Sequence, residues 1–315
     1  MLFFCYGLFL TSQVQALNDK CRVLAIGGGT DKGAYEAGAI IGLIESLPSG
    51  EAAWDVVVGN GAGAINAMFL AQYAQGSETS AASALQTFWT NFTPSLFYKD
   101  WLGGVLTGLL AKSGLYNTAP MNSKINNISN SSPKRFLGVG AADLTTGRYV
   151  FFNSTKASLA NLNTGIYASA SEYFFFPYVE FSGYRLTTGS IKYSVDIYSG
   201  INACKDMGYS ESSITVDIVL GTGKNLEVVD ASNYKTLQIL LRYLDISSYH
   251  DSVLIVQMAE AHFQNVNFRT VIYPSENLKG SLTPYSYTSS QLATQLALGK
   301  SDAKAAVSTI KLAVE

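Results

Sequence analysis

Beyond residue 20, short apolar runs alternate with longer segments in which apolar residues recur every three or four positions. The short runs predict buried strands and the longer segments predict amphipathic helices. Predicted strands cover residues 22–26, 55–58, 136–142, 149–152, 178–181, 214–220 and 268–273. Predicted helices cover residues 34–47, 64–71, 81–91, 195–207, 234–244, 252–263 and 290–314. This alternation predicts an α/β fold whose central, mostly parallel sheet is flanked by helices.

The amino-acid composition excludes a disordered chain and argues against a nucleic-acid-binding protein. Of 315 residues, 48% are hydrophobic, which is enough for one large core and excludes a disordered chain. The 21 Lys and Arg residues against 23 Asp and Glu give a formal charge of −2, which argues against nucleic acid as a partner. Neither an internal repeat nor a long polar linker interrupts the chain, so we expect a single domain.

The N-terminus has the pattern of a signal peptide. Residues 1–16 carry no charged side chain, 2–10 are almost wholly apolar, and the segment ends at the small residue Ala16. We expect cleavage after Ala16, a mature domain at 17–315, and a location in the secretory pathway or outside the cell. A buried N-terminal helix is the alternative.

Glycosylation triplets and cysteines agree with secretion. Acceptor triplets begin at Asn91, Asn127, Asn130 and Asn153. Cys5 lies in the predicted signal, so Cys21 and Cys204 are left as one candidate disulfide in an oxidising compartment. Two free buried thiols are the alternative.

A first glycine-rich turn, G-G-G-T-D-K-G at 27–33, follows a predicted strand and opens a helix. Backbone amides in such a turn converge on a negatively charged oxygen, and Gly28, Gly29 and Thr30 are the candidates here. A nucleotide phosphate is the alternative ligand. It is less favoured because Gly33 follows Lys32 where a phosphate-binding loop has Ser or Thr.

A second turn, 59–63, has the spacing of the G-x-S-x-G nucleophile elbow, in which a serine sits on a sharp bend between strand and helix. Its residues are Gly59, Asn60, Gly61, Ala62 and Gly63. Glycine at the centre tolerates the strained bend but supplies no oxygen. Acyl transfer through residue 61 is therefore excluded.

Taken in order, these motifs resemble the patatin-like phospholipase family over most of residues 22–220. The motifs are the glycine loop with A-Y-E-A-G at 34–38, W-D-V-V-V at 54–58, the elbow with A-I-N-A at 64–67, A-A-D-L-T-T-G at 141–147, and A-S-A-S at 168–171 running to F-P-Y-V at 176–179. The resemblance implies a three-layer fold and hydrolysis of lipid acyl esters by a serine and an aspartate. Here Gly61 replaces that serine, and the segment 184–191 places Thr188 where the aspartate of a D-G-G or D-G-A motif would stand.

Replacement catalytic groups are scarce. The two histidines, His250 and His262, fall in predicted helix, and the G-x-S-x-G pattern does not recur. A threonine hydroxyl is a poor general base near neutral pH. Histidine and cysteine show no metal-ligand spacing, and we expect neither a metal nor a cofactor.

The segment 88–110 is rich in aromatic and aliphatic residues. It fits either a lipid-facing flap or an ordinary core helix, and the scarcity of nearby cations beyond Lys99 and Lys112 favours the core.

Three functions fit these residues. The changed catalytic positions favour a secreted, catalytically inactive patatin-like protein that binds lipid acyl groups or a protein partner. A lipid acyl hydrolase of lipid metabolism with a non-standard nucleophile is the second, and a structural secretory or coat glycoprotein is the third. Peripheral contact with a membrane fits the first two, and no transmembrane helix is predicted in the mature chain.

Overall fold

The computed structural model describes residues 19–29, 31–278 and 283–314. Within them the chain is α/β, as predicted, with one mixed eight-stranded sheet. The strands are β1 Cys21–Ile26, β2 Val56–Gly59, β3 Phe136–Asp143, β4 Tyr149–Asn153, β5 Val179–Phe181, β6 Tyr184–Thr188, β7 Ile214–Val219 and β8 Asn267–Ile272. The helices are α1 Gly33–Ser46, α2 Ala62–Ala71, α3 Glu78–Thr90, α4 Gly104–Ala111, α5 Ala119–Ile128, α6 Leu159–Ala170, α7 Ile197–Asp206, α8 Thr236–His262 and α9 Ser289–Val314. The predicted signal peptide at 1–16 and Thr30 lie outside the described residues.

Five strands form the parallel centre of the sheet, in the order β3-β2-β1-β7-β8. The antiparallel strands β4 and β6 both pair with β3, and β5 completes that end of the sheet beside β6. Strand β8 corresponds to the strand predicted at 268–273 and lies at the edge of the same sheet.

Both faces of the sheet are covered, which gives three layers. Alternate residues of a strand point to opposite faces. Leu24 and Ile26 of β1 belong to the core under one helical layer, whereas Val23 and Ala25 belong to the core under the other. The strands therefore read as continuous apolar runs, as expected of a parallel sheet buried on both sides.

Helix α9 packs along α1 through small residues. A Cβ on Gly38 would overlap the backbone of Leu296, and one on Gly299 would overlap the backbone of Tyr35. The two helix backbones approach this closely only because glycine has no side chain.

A buried ion pair fastens β8 to the sheet. Asp217 of β7 is fully buried, and it accepts hydrogen bonds from Trp54 Nε1 at 2.7 Å, from Thr270 Oγ1 at 2.7 Å and from Arg269 Nε at 3.0 Å. These donors compensate the carboxylate for the water it has lost.

Some elements differ from the prediction. The helices predicted at 234–244 and 252–263 form one helix, α8, because the polar residues between them lie on an exposed helical surface and include neither Gly nor Pro. Strand β6 and helices α5 and α6 lack a clear signal, because their polar or small residues weaken the apolar periodicity. Helix α4 lies in the apolar segment 88–110, which fits a flap or a core helix.

Cys21 and Cys204 form a disulfide with a Cα–Cα distance of 6.0 Å, which confirms the predicted pair. The bond ties the first residue of β1 to α7 across 183 residues of sequence. A cross-link that closes so long a loop restricts the unfolded chain strongly.

We expect replacement of both cysteines by alanine to lower the free energy of unfolding by about 2–5 kcal/mol. Chemical denaturation of the variant and of the wild type, each with and without reductant, measures this loss. Reductant should lower the midpoint of the wild type but not that of the variant, and an equal midpoint in all four samples would contradict the prediction.

Candidate functional site

The predicted elbow is a sharp bend between β2 and α2. Gly61 has φ +56° and ψ −127°, a backbone conformation that L-amino acids with a side chain rarely adopt, and α2 begins at the next residue. Gly59 and Gly63 pack against each other, since a Cβ on Gly59 would overlap the backbone of Gly63. The bend of a nucleophile elbow is thus present without its nucleophile.

Asn60 holds the elbow against three neighbouring segments. Its Nδ2 donates to the carbonyl of Tyr193 at 2.8 Å, and its Oδ1 accepts from the amide of Gly140 at 3.1 Å. The hydroxyl of Tyr149 lies 3.1 Å from the same oxygen and 2.7 Å from the buried carboxyl of Asp196. Asn60 is fully buried, and both ends of its amide are used.

The pairing of β3 explains why Thr188 lies beside the elbow. Residues 136–139 of β3 pair with β2, and residues 141–143 pair with β6. Strand β4 pairs with residues 138–142 and overlaps both, so β2 and β6 share the opposite edge of β3. The pairing of β2 with this edge stops at Gly59, opposite Val139. The pairing of β6 begins two residues further along β3, where Thr188, the last residue of β6, lies opposite Ala141.

The C-terminal end of α6 crosses over the elbow. Ser169 Oγ accepts the amide hydrogen of Gly61 at 3.2 Å, and the carbonyl of Ser171 accepts the amide of Thr188 at 3.0 Å. This A-S-A-S segment therefore links the two positions where the serine and aspartate would stand. It also places the next residue, Glu172, against the elbow.

Two oxygens from other segments surround Gly61. A Cβ built on Gly61 would lie 3.1 Å from Ser190 Oγ and 3.3 Å from Glu172 Oε1. Ser190 Oγ is buried and has no hydrogen-bond partner among the described residues. Sequence reasoning missed both residues although they lie in or beside quoted motifs, because only the folded chain brings their oxygens to the elbow.

Burial raises the pKa of Glu172 to about 8. The side chain is only 8% exposed, so loss of hydration disfavours its charged form. The negative charge of Asp31 raises the pKa further, whereas a hydrogen bond with the Thr188 hydroxyl opposes the shift. At neutral pH the carboxyl is therefore largely protonated.

The glycine loop lies across from Gly61. The amide of Gly28 donates to the carbonyl of Ser194 at 2.8 Å, so this predicted oxyanion donor is already used within the fold. No described residue accepts a hydrogen bond from the amide of Gly29, and its role as an oxyanion donor stays a prediction. Close packing leaves no room for a Cβ on Gly28, which would overlap Ser190 Oγ.

The sequence profile of the patatin-like phospholipase family matches residues 24–200, more than half of the chain. This chain belongs to that family. The crystal structure of VipD from Legionella pneumophila is similar at a TM-score of 0.46 and 11% identity, over 93% of this chain and 67% of VipD. No curated protein matches the sequence.

The other candidate residues of this patatin-like protein lie away from the elbow. His250 and His262 are exposed on α8, and His262 packs against Tyr198 with ring centroids 5.7 Å apart. The described residues contain no group of three or more His, Cys, Asp or Glu side chains placed to hold a metal ion.

Three of the four predicted glycosylation acceptors, Asn91, Asn127 and Asn130, are exposed. Asn153 is 8% exposed, and its Oδ1 accepts hydrogen bonds from the amide of Thr155 at 3.1 Å, the hydroxyl of Thr155 at 2.8 Å and the amide of Lys156 at 3.0 Å. The prediction for Asn153 does not fit this structure, because its side chain is packed and hydrogen-bonded inside the fold.

The apolar segment at 88–110 divides into a buried and an exposed part. Phe88, Trp89, Phe92 and Phe97 lie in the core, as favoured by the sequence. The core interpretation is wrong for residues 102–110, because the large side chains on and next to α4 face solvent. Their exposed fractions are 100% for Leu102, 42% for Val105, 69% for Leu106, 57% for Leu109 and 81% for Leu110.

This exposed surface continues towards the elbow. After α4 the chain pairs with the segment that follows Glu172: the amide of Leu115 donates to the carbonyl of Phe174 at 3.3 Å, and that of Tyr116 to Phe175 at 3.0 Å. Phe174 is 60% exposed and Tyr173 is 41% exposed. We refer to Leu102, Val105, Leu106, Leu109, Leu110, Tyr173 and Phe174 as the apolar rim.

We expect Gly61→Ala to lower the free energy of unfolding by about 1–3 kcal/mol, because a Cβ is forced onto the strained bend and against Ser190 and Glu172. Gly147→Ala is the matched control, since Gly147 also has a positive φ of +71° but open space around its Cβ position. Thermal denaturation of both variants measures the difference. A Gly61→Ala variant as stable as Gly147→Ala would show that the elbow is not crowded.

Proposed function

We propose that this protein binds lipid acyl esters at the elbow and that the serine–aspartate reaction of its family is lost. The observation that carries the proposal is Gly61, which keeps the φ of +56° of the elbow while supplying no hydroxyl. Binding an ester requires hydrogen-bond donors and apolar surroundings, whereas covalent attack also requires a nucleophile.

Thr188 supports the same proposal. Its Oγ1 accepts a hydrogen bond from the amide of Ser190 at 3.3 Å, so it closes a local turn. A hydroxyl in this place does not accept a proton near neutral pH as an aspartate would. Both positions of the family's catalytic pair are thus occupied by residues that maintain the geometry of the site.

The apolar rim supports contact with a lipid surface. Its side chains project from or next to a short helix and from the segment that follows Glu172, and the chain after that helix is hydrogen-bonded to this segment. Lys112 lies 5.1 Å from the ring centroid of Trp101 beside this helix, and Lys99 is exposed nearby. With only these two lysines nearby, it is the exposed apolar area rather than positive charge that supports peripheral membrane contact. Among the described residues, no helix has both the length and the apolar character needed to cross a bilayer.

We also propose that the protein follows the secretory pathway. The Cys21–Cys204 disulfide supports this route, because such bonds persist mainly in oxidising compartments. Three exposed acceptor asparagines agree with it.

We expect a variant with Gly61→Ser, Thr188→Asp and Ser190→Gly to hydrolyse a long-chain ester near pH 7 much faster than the wild-type protein does. The variant restores the family's serine and aspartate, and removal of the Ser190 hydroxyl relieves the crowding around the side chain introduced at position 61. Release of fatty acid measures the reaction.

The matched control carries Thr188→Asp and Ser190→Gly but keeps Gly61, and it should stay inactive because it has no nucleophile at the bend. A folded triple variant that releases no fatty acid would contradict acyl binding at the elbow. Hydrolysis by the control would show that residue 61 is not the point of attack in the restored site.

We expect Leu102→Glu with Leu106→Glu to lower binding to vesicles of phosphatidylcholine and phosphatidylglycerol by at least about tenfold, because two apolar contacts are replaced by charges. Met207→Glu is the control, since Met207 lies beside Phe136 at the opposite end of the strands. Co-sedimentation with vesicles measures the loss. Equal binding by the double variant and the wild type would remove the apolar rim as a lipid contact.

A further inference from the structure

Loss of the family's serine does not remove every hydroxyl from the elbow. Ser190 Oγ and Glu172 Oε1 approach within 3.1 Å and 3.3 Å of the point where a side chain of residue 61 would begin. They arrive from separate segments, one after β6 and the other after α6. A hydroxyl and a carboxyl therefore lie next to residue 61, although residues 59–63 themselves supply neither group.

We propose that Ser190 and Glu172 form a displaced nucleophile and base, through which this protein hydrolyses lipid acyl esters. The inference rests on the proposed function, since an acyl ester must first occupy the elbow. Neither residue belongs to the family's serine–aspartate pair, so this activity is separate from the lost one.

The state of Ser190 fits a nucleophile. Its hydroxyl is buried and has no hydrogen-bond partner among the described residues, an arrangement that costs free energy in a folded protein. It lies against Gly28, whose missing side chain makes room for it. Glu172 Oε1 lies against the same Cβ position of residue 61 as Ser190 Oγ does. Catalytic hydrogen bonds often close only when substrate binds.

The surroundings of Glu172 fit a base that works at alkaline pH. Three titratable groups interact with this carboxyl: Asp31 from the glycine loop, Tyr173 next in sequence and the buried Tyr285. All three are acidic, and none supplies a positive charge. Glu172 is therefore ionised, and able to accept a proton, only above a pKa of about 8.

The reaction balances with water as the only co-reactant. Ser190 Oγ bonds to the ester carbonyl carbon while its proton passes to the Glu172 carboxylate. The bond between that carbon and the alcohol oxygen then breaks, and the alcohol leaves with the proton from Glu172. Water attacks the acyl-serine, gives a proton to Glu172, and the fatty acid departs as Ser190 recovers its proton from Glu172.

The glycine loop lies close to the elbow, since a Cβ built on Gly61 would lie 3.2 Å from the Cα of Gly28. The amide of the next residue, Gly29, is not used by any described residue. A free amide in such a loop is the kind of donor that stabilises a tetrahedral oxyanion.

The test is covalent labelling of the full chain by a long-chain alkyl fluorophosphonate, with phosphatidylcholine–phosphatidylglycerol vesicles present, followed by peptide mass spectrometry. We expect the label on Ser190, with about tenfold more near pH 9 than near pH 7, because a carboxyl with a pKa of about 8 changes from mostly protonated to mostly ionised over this range. Release of fatty acid from an ester should follow the same profile.

Three variants separate catalysis from structure. Ser190→Ala should fold, because it removes a hydroxyl without a partner, and it should take up no label. Glu172→Gln keeps the shape of the side chain and should lose both the rate and its rise between pH 7 and pH 9. Ser194→Ala is the control, since Ser194 also has a buried hydroxyl without a partner, and it should label like the wild type.

Absence of label on Ser190 near pH 9 would overturn the proposal, as would a label that persists in Ser190→Ala. An unchanged pH profile in Glu172→Gln would remove Glu172 as the base. If these fail while the restored serine–aspartate variant releases fatty acid, acyl binding at the elbow stands and only the displaced pair is lost.

Discussion

The divided edge of β3 is the constraint on which the site depends. One edge of this strand pairs first with β2 and then with β6, so the end of one strand meets the end of the other in the same plane. The helix α2 must start where β2 stops, and the chain after β6 must turn away beside it. Gly61, Thr188 and Ser190 become neighbours for this reason, although more than 120 residues separate the first from the other two. Asn60 strengthens the junction by bonding to β3 itself through Gly140.

Features with a local cause could be predicted from the sequence. The elbow, the glycine loop and most strands depend on residues within a few positions. The disulfide joins the two cysteines that remain when Cys5 is assigned to the predicted signal peptide. Features that depend on distant partners could not. Glu172 looks like a surface residue in sequence, and only the path of α6 over the elbow buries it. Helix α4 has an apolar sequence typical of a core, yet its side chains face solvent, because periodicity shows that residues are apolar and not what covers them.

The elbow carries more unfavourable features than a disused site should keep. Ser190 has a buried hydroxyl without a partner among the described residues, and Glu172 is a buried carboxyl whose charged form is disfavoured. Each of these costs stability, and a single substitution to a small or apolar residue would relieve it. The bend at Gly61, in turn, excludes residues with a side chain. Strain that persists at one place is characteristic of a functional site, since it is retained where geometry is needed. This favours an elbow whose chemistry has moved to other residues over one that has merely decayed.

The segment after Glu172 connects the elbow to the apolar rim. Phe174 has a positive φ of +68°, which is costly for an aromatic residue, and its side chain is exposed rather than packed. The same segment is hydrogen-bonded to the chain that follows α4, and Phe176 stacks on the buried Tyr285 with ring centroids 6.0 Å apart. Because Glu172 touches the elbow and Tyr173 and Phe174 follow it directly in the chain, the proposed lipid contact and the proposed reacting pair share one short segment.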